Sequence, residues 1–336
     1  MPSATRKPKP AASARRKHLR VVAIGAGGMA NTVHYPALAA LPEVSLEALF
    51  DLDTGRLNET ADKYGVDKRY TNYRQMIEDV TPDAVYAIGQ PHLMYDVWVW
   101  CLQQGLHLFV EKPLGITMHM ARTAAYLAEK HGCITQVGFQ RRSCPLLVNL
   151  RNRCLERGPL VHVVCTFYKF LHEPLLAAPD HLIDDGVHAI DTLRWMCGGN
   201  VVEIESVARR VGVPDLNFYV ALLHFDNGAI GVLMNSWSSG KRLFRVEMHG
   251  QGICAEGSPD GVGTVWTDGD TEGETSDIYA ASGSRELYVH GGFLAKHQEF
   301  VECLRTKRQP GSCFADALLT MEVAERIRAQ NLLAGR

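Results

Sequence analysis

Short apolar runs alternate with amphipathic stretches between Leu19 and about Val137, and this rhythm constrains the fold more than any other feature of the chain. Such alternation is typical of strands that are separated by helices and pair in parallel. The predicted strands are 21–25, 46–50, 84–89, 106–110 and 134–139, and the predicted helices lie near 29–40, 54–64, 93–104 and 117–131. We therefore expect an α/β domain at 19–139, a Rossmann-type doubly wound parallel sheet of five or six strands.

A different pattern starts at residue 140. A helix near 144–156, a strand at 161–170 and a helix at 184–196 precede consecutive strands near 201–212, 217–225, 229–237 and 242–249. Consecutive strands pair antiparallel, and Asp226-Asn227-Gly228 suits a hairpin turn because Asn and Gly tolerate positive φ. Residues 268–284 are polar and glycine-rich, as a loop would be, and helices at 293–304 and 315–332 follow. This order predicts an α+β domain at 140–334 with a largely antiparallel sheet.

Length and composition agree with two globular domains. The chain has 336 residues, and no apolar run approaches the roughly 18 residues of a membrane-spanning helix. Nine cysteines, an odd number without a Cys-x-x-Cys pair, indicate reduced core residues rather than disulfides or zinc ligands. We expect a soluble, cytoplasmic protein without a metal site.

The charge is distributed unevenly along the chain. Residues 1–20 carry seven Lys or Arg and no acid, whereas the rest of the chain has 28 basic and 37 acidic residues. The segment 1–18 is rich in Ala, Ser and Pro, which is typical of a disordered tail and would also suit an organelle transit peptide. An acidic body is unsuited to nucleic acid, so we expect no nucleic-acid partner.

The segment Gly25-Ala26-Gly27-Gly28-Met29-Ala30 lies between the first predicted strand and the first predicted helix. Its first glycine permits a tight turn, its second lets a pyrophosphate approach the backbone, and the final Ala lets the helix pack on the sheet. The phosphates would lie at the N-terminal end of the helix. The segment therefore predicts a dinucleotide site, although an ordinary strand-helix turn has the same composition.

Asp51 ends the second predicted strand. A carboxylate at this position accepts hydrogen bonds from the ribose hydroxyls and repels a 2′-phosphate, which favours NAD over NADP. Arg56 leaves NADP open, because its guanidinium group would bind a 2′-phosphate if it reached the site.

Glu111-Lys112-Pro113 follows the strand at 106–110. Ligands of open α/β sheets bind at the carboxyl ends of strands, so Lys112 is expected to point into the cleft, with Pro113 restricting the backbone beside it. An ordinary salt bridge between Lys112 and a nearby acid is the alternative.

In the segment 184–191, Asp184, His188 and Asp191 lie on one face of a predicted helix. Asp184 would orient His188, and His188 would exchange a proton with a substrate hydroxyl because imidazole titrates near neutral pH. Gly186 would leave room for a ligand, and Asp191 would give structural support. The alternative is a helix-capping Asp184 and a packed core histidine.

Together, GAGGMA, Asp51, Glu-Lys-Pro and Asp-x-Gly-x-His-x-x-Asp resemble the Gfo/Idh/MocA family of glucose-fructose oxidoreductase and inositol dehydrogenase-like enzymes, over about residues 19–334. The resemblance implies an NAD(P)-dependent oxidoreductase that moves a hydride between nicotinamide and a secondary hydroxyl or ketone of a sugar or cyclitol. It implies that Lys112, Asp184 and His188 are catalytic. It also implies that the second sheet is open and that a homodimer or homotetramer assembles through it.

The resemblance extends the binding sites as well. It implies cofactor contacts from Pro91, His92 and Glu111, although Tyr95 stands where the family usually has a histidine. The segment GFQRR (138–142) and two later strands are implied to contact substrate through Arg141, Arg142, Tyr168, Lys169 and Trp237.

Three other interpretations are open. An NAD-dependent redox glycosidase resembles this family in fold and would cleave a glycosidic bond without net NADH. Non-catalytic nucleotide-binding regulators share the fold. Tyr126 and Lys130 match the Tyr-x-x-x-Lys of short-chain dehydrogenases, but they also suit an amphipathic helix in which Tyr126 is packed and Lys130 is solvated.

Overall fold

The computed structural model describes residues 18–171, 173, 175 and 177–333. Two β-sheets lie within these residues, and helices connect and flank their strands. All but the last residue of the predicted basic tail at 1–18 falls outside the described part, as does residue 334. Among the helices that are described, none combines the length and the apolar character needed to cross a membrane.

The first sheet has six parallel strands in the order β3-β2-β1-β4-β5-β6. They are β1 (Leu19–Ile24), β2 (Val44–Phe50), β3 (Lys68–Tyr70), β4 (Ala84–Ala87), β5 (Leu108–Val110) and β6 (Thr135–Val137). In this doubly wound order the chain reverses between β1 and β4, and ligands bind outside the carboxyl ends of the strands at that point. The predicted parallel sheet is confirmed. Only β3 was not predicted from the sequence, because its three residues are polar and largely exposed and form no apolar run.

Helices between these strands confirm the predicted rhythm. After β1, a π-helical turn at Ala30–His34 runs directly into α1 (Tyr35–Ala39). The next four are α2 (Thr54–Tyr64), α3 (Tyr73–Val80), α4 (Pro91–Gln103) and α5 (Met118–Lys130). Side-chain caps fix where several begin: Asp53 accepts hydrogen bonds from the first turn of α2, Asn72 from α3 and Thr117 from α5. Of these, α3 was not predicted.

The second sheet has eight strands in the order β14-β13-β12-β11-β7-β10-β9-β8. They are β7 (His162–Phe170), β8 (Val201–Arg209), β9 (Phe218–Phe225), β10 (Ile230–Ser236), β11 (Ser238–Gly250), β12 (Ile253–Gly257), β13 (Val262–Thr267) and β14 (Glu274–Asp277). All pairs are antiparallel except β7 with β10. The predicted hairpin joins β9 to β10, with Gly228 at φ +87°. The largely antiparallel sheet is therefore confirmed.

The remaining helices lie before, within and after this sheet. They are α6 (Pro145–Leu155), α7 (Val187–Cys197), α8 (Ile278–Ser282), α9 (Leu287–His290), α10 (Phe293–Thr306) and α11 (Phe314–Leu333). A second π-helical turn, Leu182–Gly186, runs directly into α7. The loop predicted at 268–284 is wrong in part, because it contains β14 and α8; the residues of β14 are all exposed at the sheet edge and show no apolar alternation.

The two sheets meet through a continuous core. One cluster of buried apolar residues includes Val22 and Ile24 of β1 together with Val163 of β7 and Phe244 of β11. The segment before α11 returns to the first sheet, where the Val137 N–H donates to the Ser312 carbonyl oxygen at 2.9 Å. This junction holds the carboxyl ends of the first sheet against β7 and α7, and the candidate site lies there.

Candidate active site

The glycine turn lies at the carboxyl end of β1. Gly25 has φ +105°, and a Cβ there would come 2.1 Å from the Ile88 carbonyl oxygen, so no side chain fits. At Gly27 and Gly28 an added Cβ would meet no atom within 4 Å, which leaves the backbone open to a ligand. Asn31 fixes the turn by donating from Nδ2 to the Ala26 carbonyl oxygen at 2.9 Å. This geometry suits a pyrophosphate.

Asp51 lies beside this turn, directly after β2. Its Oδ2 accepts the Ala26 N–H at 2.7 Å, and its Oδ1 accepts the Asp53 N–H at 2.8 Å and the Arg56 guanidinium at 3.1 Å. Burial alone would raise the pKa of Asp51, but these donors hold it below its ordinary 3.8. Arg56 thus lies beside Asp51 at the cleft, and its side chain is 56% exposed there.

A cleft of about 550 Å³ joins the glycine turn to Lys112. Most of the predicted cofactor residues line it, namely Gly25, Gly27, Gly28, Met29, Asp51, Arg56, Pro91, Glu111 and Lys112. Ala26 is buried behind them. His92 is exposed at the second position of α4 and is not among the residues lining this cleft, whereas Leu93 and Met94 are, so the cofactor contact of His92 stays a prediction. Tyr95 packs against the core.

Lys112 follows β5 where the two sheets approach each other. Its Nζ donates to the Asp184 carbonyl oxygen at 2.9 Å and lies 3.4 Å from Asp185 Oδ1. Asp185 also pairs with Lys169 of β7, so one carboxylate balances two ammonium groups. Burial would raise the pKa of Asp185, but the charges of Lys112 and Lys169 hold it well below 3.8. Lys112 therefore lines the cleft, as predicted, and is also ion-paired, as the alternative predicted.

The carboxylate beside Lys112 is thus Asp185, whereas an α-helical pattern placed Asp184 in the acidic role. Both aspartates lie in the π-helical turn Leu182–Gly186, which runs directly into α7. Asp184 itself lines the cleft. Within the described residues no hydrogen bond or ion pair joins Asp184 to His188, and His188 Nδ1 is buried without a hydrogen-bond partner.

His188 is buried near the start of α7 and is 6% exposed. Its ring meets the Phe139 ring edge-on, with centroids 6.3 Å apart. Burial, followed by the positive charges of Arg141 and Lys112, lowers the pKa of His188 well below 6.5. The imidazole is therefore neutral at pH 7 and able to accept a proton.

Glu111 belongs to a buried polar chain behind Lys112. Its Oε1 lies 2.7 Å from His34 Nε2, and His34 Nδ1 lies 3.0 Å from His297 Nε2. Its Oε2 accepts the Lys112 N–H at 3.2 Å. Burial, followed by proximity to His34, lowers the pKa of His297 well below 6.5. This chain fixes the backbone that carries Lys112 to the helix after the glycine turn.

Gly186 makes room for side chains of the protein and not, as predicted, for a ligand. A Cβ there would lie 2.9 Å from Asn235 Nδ2 and 3.1 Å from the Trp237 ring. Trp237 is fully buried and stacks on His181 with centroids 5.2 Å apart. Its predicted substrate contact is therefore replaced by packing beneath α7.

Arg142 and Tyr168 are also placed away from substrate. Arg142 donates from Nε to Asp191 Oδ2 at 2.7 Å and pairs with Asp316 at 2.7 Å, so it ties α7 to α11, and Asp191 is part of that support. Successive residues of a strand face opposite sides. On β7, Lys169 faces Asp185, which puts its neighbour Tyr168 on the other side of the sheet.

Three polar residues near the site were not predicted. Asp185 lies inside the segment 184–191, but it is not on the helix face that Asp184 and His188 were predicted to share. Asn235 and His181 are fully buried with both of their side-chain polar atoms unpartnered. For Asn235 the only sequence signal is an amide within an apolar strand, and for His181 we find none.

The other candidate chemistries lack support in the described residues. Tyr126 is 59% exposed on α5, and the Lys130 ammonium lies 5.6 Å from its ring centroid, which is a surface contact rather than the packed tyrosine that was expected. No group of three or more His, Cys, Asp or Glu within the described part is arranged to hold a metal ion.

Two family models match this chain, one in the region of each sheet. Residues 19–139 match the model "Oxidoreductase family, NAD-binding Rossmann fold", and residues 157–253 match "GFO/IDH/MocA C-terminal domain". The chain is 24% identical to scyllo-inositol 2-dehydrogenase (NAD(+)) of Bacillus subtilis, covering 91% of this chain and 92% of that protein. It is 27% identical to myo-inositol 2-dehydrogenase of Thermotoga maritima, covering 86% of each. The structure of a dehydrogenase from Chromobacterium violaceum superposes with a TM-score of 0.85 at 20% identity, covering 95% of this chain and 97% of that one.

Proposed function

The chain belongs to the Gfo/Idh/MocA family of NAD-binding oxidoreductases, and we propose that it catalyses hydride transfer at a secondary hydroxyl through Lys112 and His188. The substrate class is a sugar, a sugar derivative or a cyclitol, in line with the inositol dehydrogenases it resembles. One observation carries the proposal: Lys112 lines the same cleft as the glycine turn and binds the segment that leads into His188.

The residues present fit NAD. Gly27 and Gly28 leave the space that a pyrophosphate needs, and Asp51 offers a carboxylate held ionised by its donors. Asp51 supports NAD as the cofactor, and the exposed Arg56 supplies the contact through which NADP would compete.

A bound nicotinamide cofactor would supply the acceptor for the hydride that leaves the carbinol carbon. The protein has to manage the hydroxyl proton. His188 is neutral because its pKa is lowered, so it serves as the base that removes this proton. Lys112 donates a hydrogen bond to the same oxygen and stabilises the negative charge that develops there.

The two aspartates divide the supporting tasks. Asp184 presents its side chain to the cleft, where it meets substrate hydroxyls, and its carbonyl oxygen anchors Lys112. Asp185 balances the charge of Lys112 and Lys169 from behind. The acidic role expected of Asp184 is thus shared between two neighbours.

The test is a screen of sugars, cyclitols and their keto forms for a change in NADH absorbance. Lys112→Ala should lower kcat by at least about 10²-fold while leaving the Kd for NAD nearly unchanged, because the ammonium acts on the developing oxyanion. Lys130→Ala removes an exposed lysine of α5 and serves as the matched control. Near-normal turnover by Lys112→Ala would contradict the assignment.

We also propose that copies of the chain associate through the outer face of the second sheet. Val207, Met234 and Val262 lie on that face with 44%, 36% and 56% of their surface exposed. Apolar side chains spread over one face of a sheet favour burial against a second copy. Light scattering after gel filtration should give a dimer or tetramer, and Met234→Lys should shift it toward the monomer.

A further inference from the structure

Arg141 is a buried cation that lacks a counter-charge. It lies in the short 3₁₀ turn Gln140–Ser143 after β6 and is 8% exposed. Its guanidinium carbon lies 3.7 Å from the Phe244 ring centroid and 5.5 Å from that of Phe167. Its Nε is buried without a partner, and across the described residues its guanidinium group makes no hydrogen bond or ion pair. A buried charge in this state is unfavourable unless a partner arrives.

The adjacent residue shows what a structural arginine looks like in this chain. Arg142 is bound by the carboxylates of Asp191 and Asp316. The two arginines follow one another, and only the second is neutralised by the protein. The 3₁₀ turn therefore does not by itself leave an arginine unpaired, because Arg142 of the same turn has carboxylate partners.

The carboxylates that attract Arg141 electrostatically are already bound by other cations. Asp185 attracts Arg141 electrostatically, but it is bound by Lys112 and Lys169. Asp260 also attracts Arg141, but it pairs with Arg242 at 2.6 Å on the surface. Positive charge therefore exceeds negative charge around this part of the site.

Arg141 lies close to the reacting groups. Its charge helps to lower the pKa of His188, so the two side chains are within electrostatic range. The Phe167 ring that contacts Arg141 also contacts Lys169, whose Nζ lies 5.0 Å from the ring centroid. A substrate whose hydroxyl meets His188 and Lys112 would thus extend toward Arg141 and Lys169.

We propose that the substrate is a polyhydroxy carboxylate, such as a uronate or an aldonate, and that Arg141 binds its carboxylate. A planar guanidinium matches a carboxylate with two parallel hydrogen bonds and cancels its charge, whereas a neutral hydroxyl would fill the hydrogen bonds but leave the charge. The inference rests on the proposed dehydrogenase function and specifies its substrate class. Lys169 provides a second cation for the same group.

The experiment compares matched substrates that differ only in charge. NADH formation is measured with a panel of hexuronates and aldonates, and with the corresponding hexoses, alditols and uronamides. The wild-type protein should prefer carboxylates in kcat/KM by at least about tenfold, the value of a charge-assisted hydrogen bond. Arg141→Met should abolish this preference mainly through KM, and Arg141→Lys should keep part of it. Arg157→Met, which removes an exposed arginine, should leave it intact.

Stability provides an independent reading of Arg141. Arg141→Met removes a buried charge without a carboxylate partner and, with it, the cation–π contact with Phe244, so these effects oppose each other and the unfolding temperature of the protein measured without substrate should change little. A large decrease would show that Arg141 has a structural role and overturn the proposal. Turnover of neutral polyols as efficient as that of carboxylates would also overturn it while leaving the dehydrogenase function standing. If no compound of the panel is oxidised, calorimetry measures the binding of the same carboxylates and uronamides to the protein with NAD. Tighter binding of the carboxylates would support the proposal. No binding, or equal binding of the uronamides, would overturn it.

Discussion

Asp185→Asn tests whether one carboxylate holds the lysine pair of the site. The Asp185 side chain is 13% exposed and that of Lys112 is 20% exposed, with 3.4 Å between the charged atoms. At an effective dielectric constant of about 20, a pair at about 4 Å is worth about 4 kcal/mol, and breaking a buried pair costs about 3 to 5 kcal/mol. Because some water reaches the lysines and the amide still accepts a hydrogen bond, we expect Asp185→Asn to lower the free energy of unfolding by about 3 kcal/mol.

The pH dependence of this difference follows from the lowered pKa of Asp185. A carboxyl group whose pKa in the folded state lies below its unfolded value stabilises the fold above the unfolded pKa. That stabilisation is lost as the pH falls through the folded value. The gap between the two proteins should therefore be full at neutral pH and should shrink only at pH values below the ordinary 3.8.

Urea denaturation at several pH values measures the gap, and kcat with the best substrate measures its effect on Lys112. We expect kcat to fall about 10- to 100-fold, because a displaced catalytic group costs about that factor. Adding Lys169→Met to Asp185→Asn removes the surplus charge and should restore part of the lost stability. Equal stability of Asp185→Asn and wild type at pH 7, or no recovery in the double variant, would refute the reasoning.

Four further predictions concern other parts of the structure. Arg142→Met should lower the free energy of unfolding by about 3 to 5 kcal/mol in urea denaturation, because Asp191 would be left buried without its partner. Asp51→Ala should raise the KM for NAD relative to that for NADP by about tenfold, since it removes the ribose acceptor and frees Arg56. For alcohol oxidation, kcat should hold steady as pH falls through 6.5 and decline only well below it, as the lowered pKa of His188 requires. Arg141→Met, which removes a positive charge near His188, should move that decline to higher pH.

The parallel sheet was predictable because burial on both faces leaves continuous apolar runs such as 21–25 and 84–89. The hairpin at Asp226-Asn227-Gly228 was predictable because the turn itself demands those residue types. The edge strands β3 and β14 were not predictable in this way. Both are polar and exposed, so neither has the apolar pattern on which a strand prediction depends.

The candidate site was predictable where chemistry depends on position along a strand. Lys112, Asp51 and the glycine turn all lie at carboxyl ends of parallel strands, and the structure brings all of them to one cleft. The sequence did not distinguish Arg141 from Arg142, because their difference is made by Asp191 and Asp316, which lie far along the chain. A short pattern carries no information about such partners.

The two π-helical turns described above both contact the segment Glu111-Lys112. The π-helical turn Ala30–His34 ends with His34, whose Nε2 reaches Glu111, and the π-helical turn Leu182–Gly186 carries Asp185, whose carboxylate reaches Lys112. A π-helical turn adds a residue and thereby re-aims the side chains that follow relative to the helix after it. Each π-helical turn interrupts the regular hydrogen bonding of its helix. Because both turns contact the segment Glu111-Lys112, we infer that they orient this segment.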